Sequence, residues 1–138
     1  GKKLYDLHTI VYGYKWADGS YNVFEPEAEG VRMIFEYYNN CVAVSEIIRV
    51  LKQLGYKSFR GGFSREMIMH ILSNRFYLGE RTYRAEISGT GQEENVIDDH
   101  EPIISMEDFK KANERREKIA KRYSNSRYYK QTNSGTDN

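Results

Sequence analysis

The sequence has a single cysteine, three scattered histidines and no apolar stretch long enough to cross a bilayer. One cysteine excludes an internal disulfide, and Cys41 with His8, His70 and His100 offers no recognisable zinc spacing. No nucleophile stands beside a supporting base, since Cys41 falls in a connection between helices without a basic cluster or histidine close by in sequence. The expectation is a chain with no catalytic residue, no metal, no cofactor and no small-molecule substrate. The opening residues GKKLYDLHTI lack the apolar run of a secretory signal, which predicts a cytoplasmic protein with no membrane partner. Hydrophobic residues are also few, at 39% against 30% charged. For 138 residues this fits one core with an extended or disordered end. No internal repeat is visible.

The net charge of +1 conceals a strong segregation. From Gly55 to Arg84 six cations face only Glu66 and Glu80, and from Ala85 to Phe109 there are eight acids and no lysine or arginine. From Lys110 to Lys130 nine cations face only Glu114 and Glu117. Two basic blocks flanking an acidic one make two candidate polyanion surfaces, and the acidic loop between them would repel a phosphate backbone.

Periodicity supplies the elements. Extended pieces around Thr9 to Lys15 and Tyr21 to Phe24 flank the Asp18-Gly19 turn of a small hairpin. Pro26 suits the first turn of a helix whose Val31, Ile34, Phe35 and Tyr38 share one face. A second helix carries Val44, Ile47, Ile48, Leu51 and Leu54 as its buried stripe and is stopped by Gly55. After a nine-residue loop, Ser64 caps a third helix with Met67, Ile68, Ile71 and Leu72 inward, and Arg65, Glu66, Met69, His70 and Ser73 outward. Tyr77 to Tyr83 reads as a strand, with a return near Val96 and Ile97. Ser105 then caps a helix bearing Phe109, Ala112 and Ile119, and the polar residues beyond Arg122 read as a linker. The fold class expected is α+β and mainly helical, an expanded helix-turn-helix-like core with a small antiparallel β-sheet and a C-terminal helix.

Helices two and three in succession, the latter opening on Ser64-Arg65, suggest a unit that offers the start of its second helix to the major groove of double-stranded DNA. The nine residues Gly55 to Phe63 exceed the usual turn, so an expanded variant is implied. Lys57 and Arg60 supply charge for phosphates, while Gly61 and Gly62 allow backbone N–H groups to approach an anion. Arg65 is the candidate base reader, able to donate two hydrogen bonds to guanine, with Met69 one turn on to touch a thymine methyl and Ser64 to cap and touch phosphate. A plainer reading stands beside each: Arg65 paired with Glu66 or solvent, His70 at the core edge, and Arg75, Arg81 and Arg84 guarding a strand edge rather than lining DNA. Tyr12, Tyr14, Tyr123, Tyr128 and Tyr129 lie near basic residues outside the apolar patterns, a weak signal of base stacking.

The order of motifs from Tyr12 to Phe109 resembles the recombinase domain of the large serine recombinases, the phage integrases and transposon resolvases. Tyr12-Gly13-Tyr14 is similar to that family's Pro-Tyr-Gly-Tyr, and Glu27-Ala28, Val31 and Ile34-Phe35 to its first helix. Glu46-Ile47, Leu51 and Gly55 are similar to its second helix, and Phe63-Ser64, Ile71-Leu72, Asn74, Tyr77 and Gly79 to the run that follows. His100, Pro102-Ile103-Ile104, Glu107 and Phe109 match its closing motif. Departures are Val11 for the usual Pro, Cys41 for Gly, Ala43 for a capping Ser and Phe63 for Trp. The resemblance implies sequence-specific binding of an attachment half-site within a recombinase whose chemistry belongs to a separate serine domain. It divides the chain into residues 1–15 as entry from that domain, 16–122 as the DNA-binding domain and 123–138 as a flexible linker toward a zinc ribbon. On the same basis alone Lys2, Lys3 and Lys15 are backbone contacts, and other subunits of the recombinase are partners.

Two further classes compete. One is a protein-interaction module in which the acidic loop Glu86 to Glu101 and the basic helix Lys110 to Arg122 bind partner subunits. The other is a small nuclease using His100 with Asp98 and Asp99 on a metal.

Overall fold

The computed structural model describes residues 10–84, 93–98 and 100–136. Its centre is helix α1, Glu25–Asn39, which opens with Glu25 and Glu27 at the positive end of the helix dipole and Pro26 in the first turn. Ala28, Val31, Ile34, Phe35 and Tyr38 form one stripe along it, all buried. Against this stripe pack α2, Val44–Gln53, α3, Arg65–Ser73, and α4, Met106–Thr136. Ile47 and Leu51 of α2, Ile68, Ile71 and Leu72 of α3, and Phe109 and Ala112 of α4 fill the space between them. Each large side chain withdrawn from water contributes about 1.5–3 kcal/mol before the entropy of ordering is subtracted.

Two antiparallel hairpins complete the mainly helical α+β fold. Strands β1, Tyr14–Ala17, and β2, Ser20–Val23, pair with Ala17 opposite Ser20 around Asp18 and Gly19, both at positive φ as a tight hairpin turn of this type requires. Strands β3, Glu80–Arg84, and β4, Glu93–Ile97, pair with Arg84 opposite Glu93. The stretch Tyr77 to Tyr83 expected as one strand is divided: Arg75–Leu78 is a 3-10 turn, and only from Glu80 is the chain extended. The physical reason is Asn74, whose side chain accepts a hydrogen bond from the Phe76 N–H at 3.0 Å and closes the turn locally.

Tyr77 ties distant segments together. Its hydroxyl donates to the Tyr12 carbonyl at 2.6 Å, and its own carbonyl accepts from Ile103 and Ile104 N–H at 2.9 and 3.0 Å. Gly13, at φ +108, passes so close that a Cβ there would lie 3.0 Å from Ile103 and 3.3 Å from Val31. Beside it His100 is stacked on Phe76 at 3.8 Å, with Nε2 2.6 Å from the Phe76 carbonyl and Nδ1 2.9 Å from the Asp98 carboxylate.

Helices α1 and α2 end in the same way. In α2 the Gly55 N–H bonds the Lys52 carbonyl and the Tyr56 N–H bonds the Leu51 carbonyl, with Gly55 left-handed at φ +85. In α1 the Cys41 and Val42 N–H groups bond the Tyr38 and Tyr37 carbonyls, but the left-handed residue, at φ +66, is Cys41. Ala43, at the N-cap of α2, offers no side-chain oxygen. Cys41→Gly and Ala43→Ser are each expected to raise the melting temperature by roughly 2–4 °C, from about 0.5–1 kcal/mol of relieved strain or gained capping. A lower melting temperature for Cys41→Gly in a thermal melt contradicts the strain argument.

Three further expectations change in this fold. Leu54 lies past the end of α2 and is 57% exposed rather than part of the stripe. Tyr12 and Tyr14 are buried in the core and are not presented for base stacking. The terminal helix does not stop at Arg122 but continues to Thr136, so the expected linker is helical over most of its length. No helix among the described residues is long and apolar enough to cross a membrane.

Candidate nucleic-acid interface

The connection between α2 and α3 is a built turn. Ser58 and Gly61 exchange both backbone hydrogen bonds, at 3.0 and 3.1 Å, and the Ser58 hydroxyl donates to the Gly62 carbonyl. Gly61 takes φ +99, which a side chain would oppose. This leaves Phe59 and Arg60 exposed at the tip. The base of the turn is anchored from both sides: Phe63 is buried, its ring 5.3 Å from that of Tyr12, and the Tyr12 hydroxyl donates to the Lys57 carbonyl at 2.8 Å. Burial foremost, with the Glu27 carboxylate behind it, pushes the Tyr12 phenol up to about 12, so it remains a donor at physiological pH. The Tyr56 hydroxyl donates to the Glu29 carboxylate at 3.1 Å.

At the end of this turn Ser64 caps α3, its Oγ accepting from the Met67 N–H at 3.1 Å. Arg65, the first residue of α3, is exposed. The cations of the region differ from three arginines of neighbouring elements. Arg32 pairs with Glu25 at 2.8 Å, Arg49 with Glu46, and Arg75 with Glu80 at 2.7 Å, whereas Lys57, Arg60 and Arg65 have no carboxylate within ion-pair reach among the described residues.

The structure brings most of the sequence candidates onto the turn and the start of α3, divided among three grooves. Arg60, Gly62 and Ser64 line one of about 500 Å³ with Glu66 and His70. Lys57, Gly61 and Gly62 line a second with Lys52 and Tyr56. Arg65 and Met69 line a third, between α3 and α4, with Arg116, Ile119 and Tyr123. Met69, expected to face outward, is half-buried in that third groove, and Glu66 and His70 are exposed as expected. Gly61 spends its N–H on the Ser58 carbonyl, so of the glycine pair only the Gly62 N–H is taken by no described residue. Arg75 lies past the far end of α3, held by two hydrogen bonds to Glu80 at 2.7 and 2.9 Å and set 5.5 Å from the Phe109 ring. Lys15 is on β1, its ammonium 4.5 Å over the Phe24 ring. Lys2 and Lys3 lie outside the described residues, as does half of the acidic loop Glu86 to Glu101.

His100, the core of the nuclease alternative, is turned inward and tied at both ring nitrogens. Among the described residues no group of three His, Cys, Asp or Glu side chains is placed to hold a metal ion. The contribution of α4 to the third groove is not visible in the sequence. The excess of cations in that segment is its only signal there, and which of them meets α3 depends on how the two helices pack.

A model of the family described as Recombinase matches residues 25–119. The chain belongs to this family, and is a recombinase domain of the large serine recombinase type. It is similar to the crystal structure of a large serine recombinase–DNA complex, with a TM-score of 0.61 and 26% identity over 78% of this chain and 32% of that one. It is also similar to a structure concerned with the sequence requirements of the Listeria innocua prophage attP site, with a TM-score of 0.59 and 27% identity over 75% of this chain and 40% of that one. The chain therefore spans only about a third to two-fifths of the length of these relatives. No curated protein matches it.

Proposed function

We propose that this domain binds double-stranded DNA at one half of an attachment site and holds it for a serine recombinase whose strand chemistry resides in another domain. The observation that carries the reading is the anchored turn Tyr56 to Phe63 with the capped start of α3, which hold Lys57, Arg60 and Arg65 exposed and without acidic partners among the described residues. Because Tyr12, Tyr56 and Phe63 fix the turn before any ligand arrives, little ordering entropy remains to oppose binding. In this arrangement Lys57 and Arg60 meet phosphates, and Arg65 extends from the first turn of α3 to base edges. Lys2, Lys3 and Lys15 are assigned to the DNA backbone, and the other recombinase subunits to surfaces beyond this one.

Lys57 is the test of the positioning role. Lys57→Ala is expected to weaken binding to the best and to a random duplex by one common factor, about 3- to 10-fold, and to lower the salt slope by about one. Fluorescence anisotropy with labelled duplexes reads both quantities. A loss confined to the best sequence contradicts the role.

A further inference from the structure

The groove between α3 and α4 has a property that the DNA-facing turn does not share. Arg65 of α3 and Arg116 of α4 line it, over a floor of Met69, Ile119 and Ala120. Next to Arg116 on α4, the Arg115 guanidinium lies 4.8 Å over the ring of Tyr38, whose side chain is fully buried at the end of α1. None of the three arginines has a carboxylate within ion-pair reach among the described residues. Among the described residues the one side-chain acceptor for Arg116 is the Asn113 amide oxygen, at 2.7 Å. The Nε atoms of Arg115 and Arg116 and the Tyr38 hydroxyl are all buried with no hydrogen-bond partner among the described residues.

Like charges gathered without a counter-charge repel each other, and buried donors without acceptors cost stability. A fold retains such an arrangement where something from outside supplies the missing negative charge and acceptor oxygens. The three cations act on a single point: Tyr38's phenol is pushed up by burial, and Arg115, Arg116 and Arg65 each pull it back.

We propose that Arg116, from the lining of the cleft between α3 and α4, and its neighbour Arg115 beside Tyr38 form an oxyanion site that grips a backbone phosphate of the DNA duplex while Arg65 remains directed to the bases. Guanidinium forks match the geometry of phosphate oxygens, and their Nη atoms are the ends left for a ligand once Nε is covered. The cleft holds about 520 Å³ and opens beside the first residue of α3, where the proposed function places DNA. The inference rests on that function. It adds α4 as a second wall of the interface, contributing two phosphate contacts that the turn alone does not provide.

The experiment is a salt series of duplex affinity with the full chain, on the parent protein, Arg115→Gln, Arg116→Gln, Arg116→Lys, and Arg32→Gln as a charge control. Each glutamine variant is expected to weaken specific and random duplexes alike, about 5- to 10-fold near 0.1 M salt, and to lower the slope of log K against log salt by about one. Arg116→Lys should keep the slope, and Arg32→Gln should change neither quantity. If thermal melting shows a glutamine variant unfolded, Arg116→Lys and inorganic phosphate carry the test. Phosphate is expected to compete with duplex for the parent more effectively than chloride at equal ionic strength, and to lose that advantage for Arg116→Lys, which has no fork. Folded glutamine variants with the parent's slope overturn the proposal and leave the proposed function standing, as expected of a cluster meant for an acidic protein segment. Raised thermal stability in millimolar phosphate, together with unchanged duplex binding in the variants, would instead identify a free-phosphate site. A parent that binds no duplex at any salt concentration sinks both.

Discussion

Tyr77→Ala is expected to cost about 3–5 kcal/mol and to lower the melting temperature by roughly 10–20 °C. The ring is fully buried, stacked 6.1 Å from Tyr14 and edge-on to Phe35, so its removal leaves a cavity bounded by α1 and the start of the chain's first hairpin. The hydroxyl bond to the Tyr12 carbonyl is lost as well. A domain of this size has about 5–15 kcal/mol of net stability, so this one change takes a large share of it. Tyr77→Phe separates the two contributions: it keeps the ring, loses only the hydroxyl bond and is expected to cost about 1–2 kcal/mol. Tyr77 also links fold to function, because the Tyr12 that it holds in turn holds the Lys57 carbonyl. Chemical denaturation of both variants checks the ordering. Equal losses would mean that the ring itself carries little.

Arg65→Ala is expected to narrow the difference in affinity between the best duplex and a random one by roughly 5- to 150-fold, the value of about 1–3 kcal/mol of bidentate base reading. The argument is positional. Arg65 is the first residue of α3, it is exposed, and its neighbour Ser64 fixes where the helix begins. Across one turn of helix Met69 is drawn into the groove with Ile119, which leaves Arg65 as the member of that face with a long polar reach. Selection from a randomised duplex library, with and without the substitution, measures the spread of affinities whatever the target sequence is. If both affinities fall by one common factor, Arg65 grips phosphate and does not read bases.

Much of the scaffold was legible because it is written in short-range signals. The stripes of α1 and α3, the Asp18-Gly19 turn and the caps at Ser64 and Ser105 all depend on residues within one or two turns of each other. The motifs that carried the family resemblance serve mostly to build this scaffold: Asn74 closes a turn, Tyr77 fills the core and His100 fastens the returning chain. What escaped was set at a distance. Tyr12 and Tyr14 looked available beside Lys15, but they are buried by partners far along the chain, the carbonyls of Lys57 and Glu101. The far end of helix α4, beyond Arg122, escaped for the opposite reason. From Ala120 to Asn125 its residues are exposed, and the sequence past Ile119 shows no apolar period, although nothing before Gly135 is a strong helix breaker. In the candidate site, Lys57, Arg60 and Arg65 stood out as a basic loop and helix start. The pairing of Arg65 with Arg116 exists only because α3 and α4 meet.

The central claim is that an anchored basic turn and the start of α3 grip duplex DNA, and the salt dependence of duplex affinity tests it most directly. Anisotropy titrations of the 138-residue chain between about 50 and 300 mM salt are expected to give log K falling linearly with log salt. A slope of roughly −3 to −5 corresponds to the counterions released by the loop, α3 and α4 cations. A flat response, or affinity that survives high salt undiminished, would contradict the account.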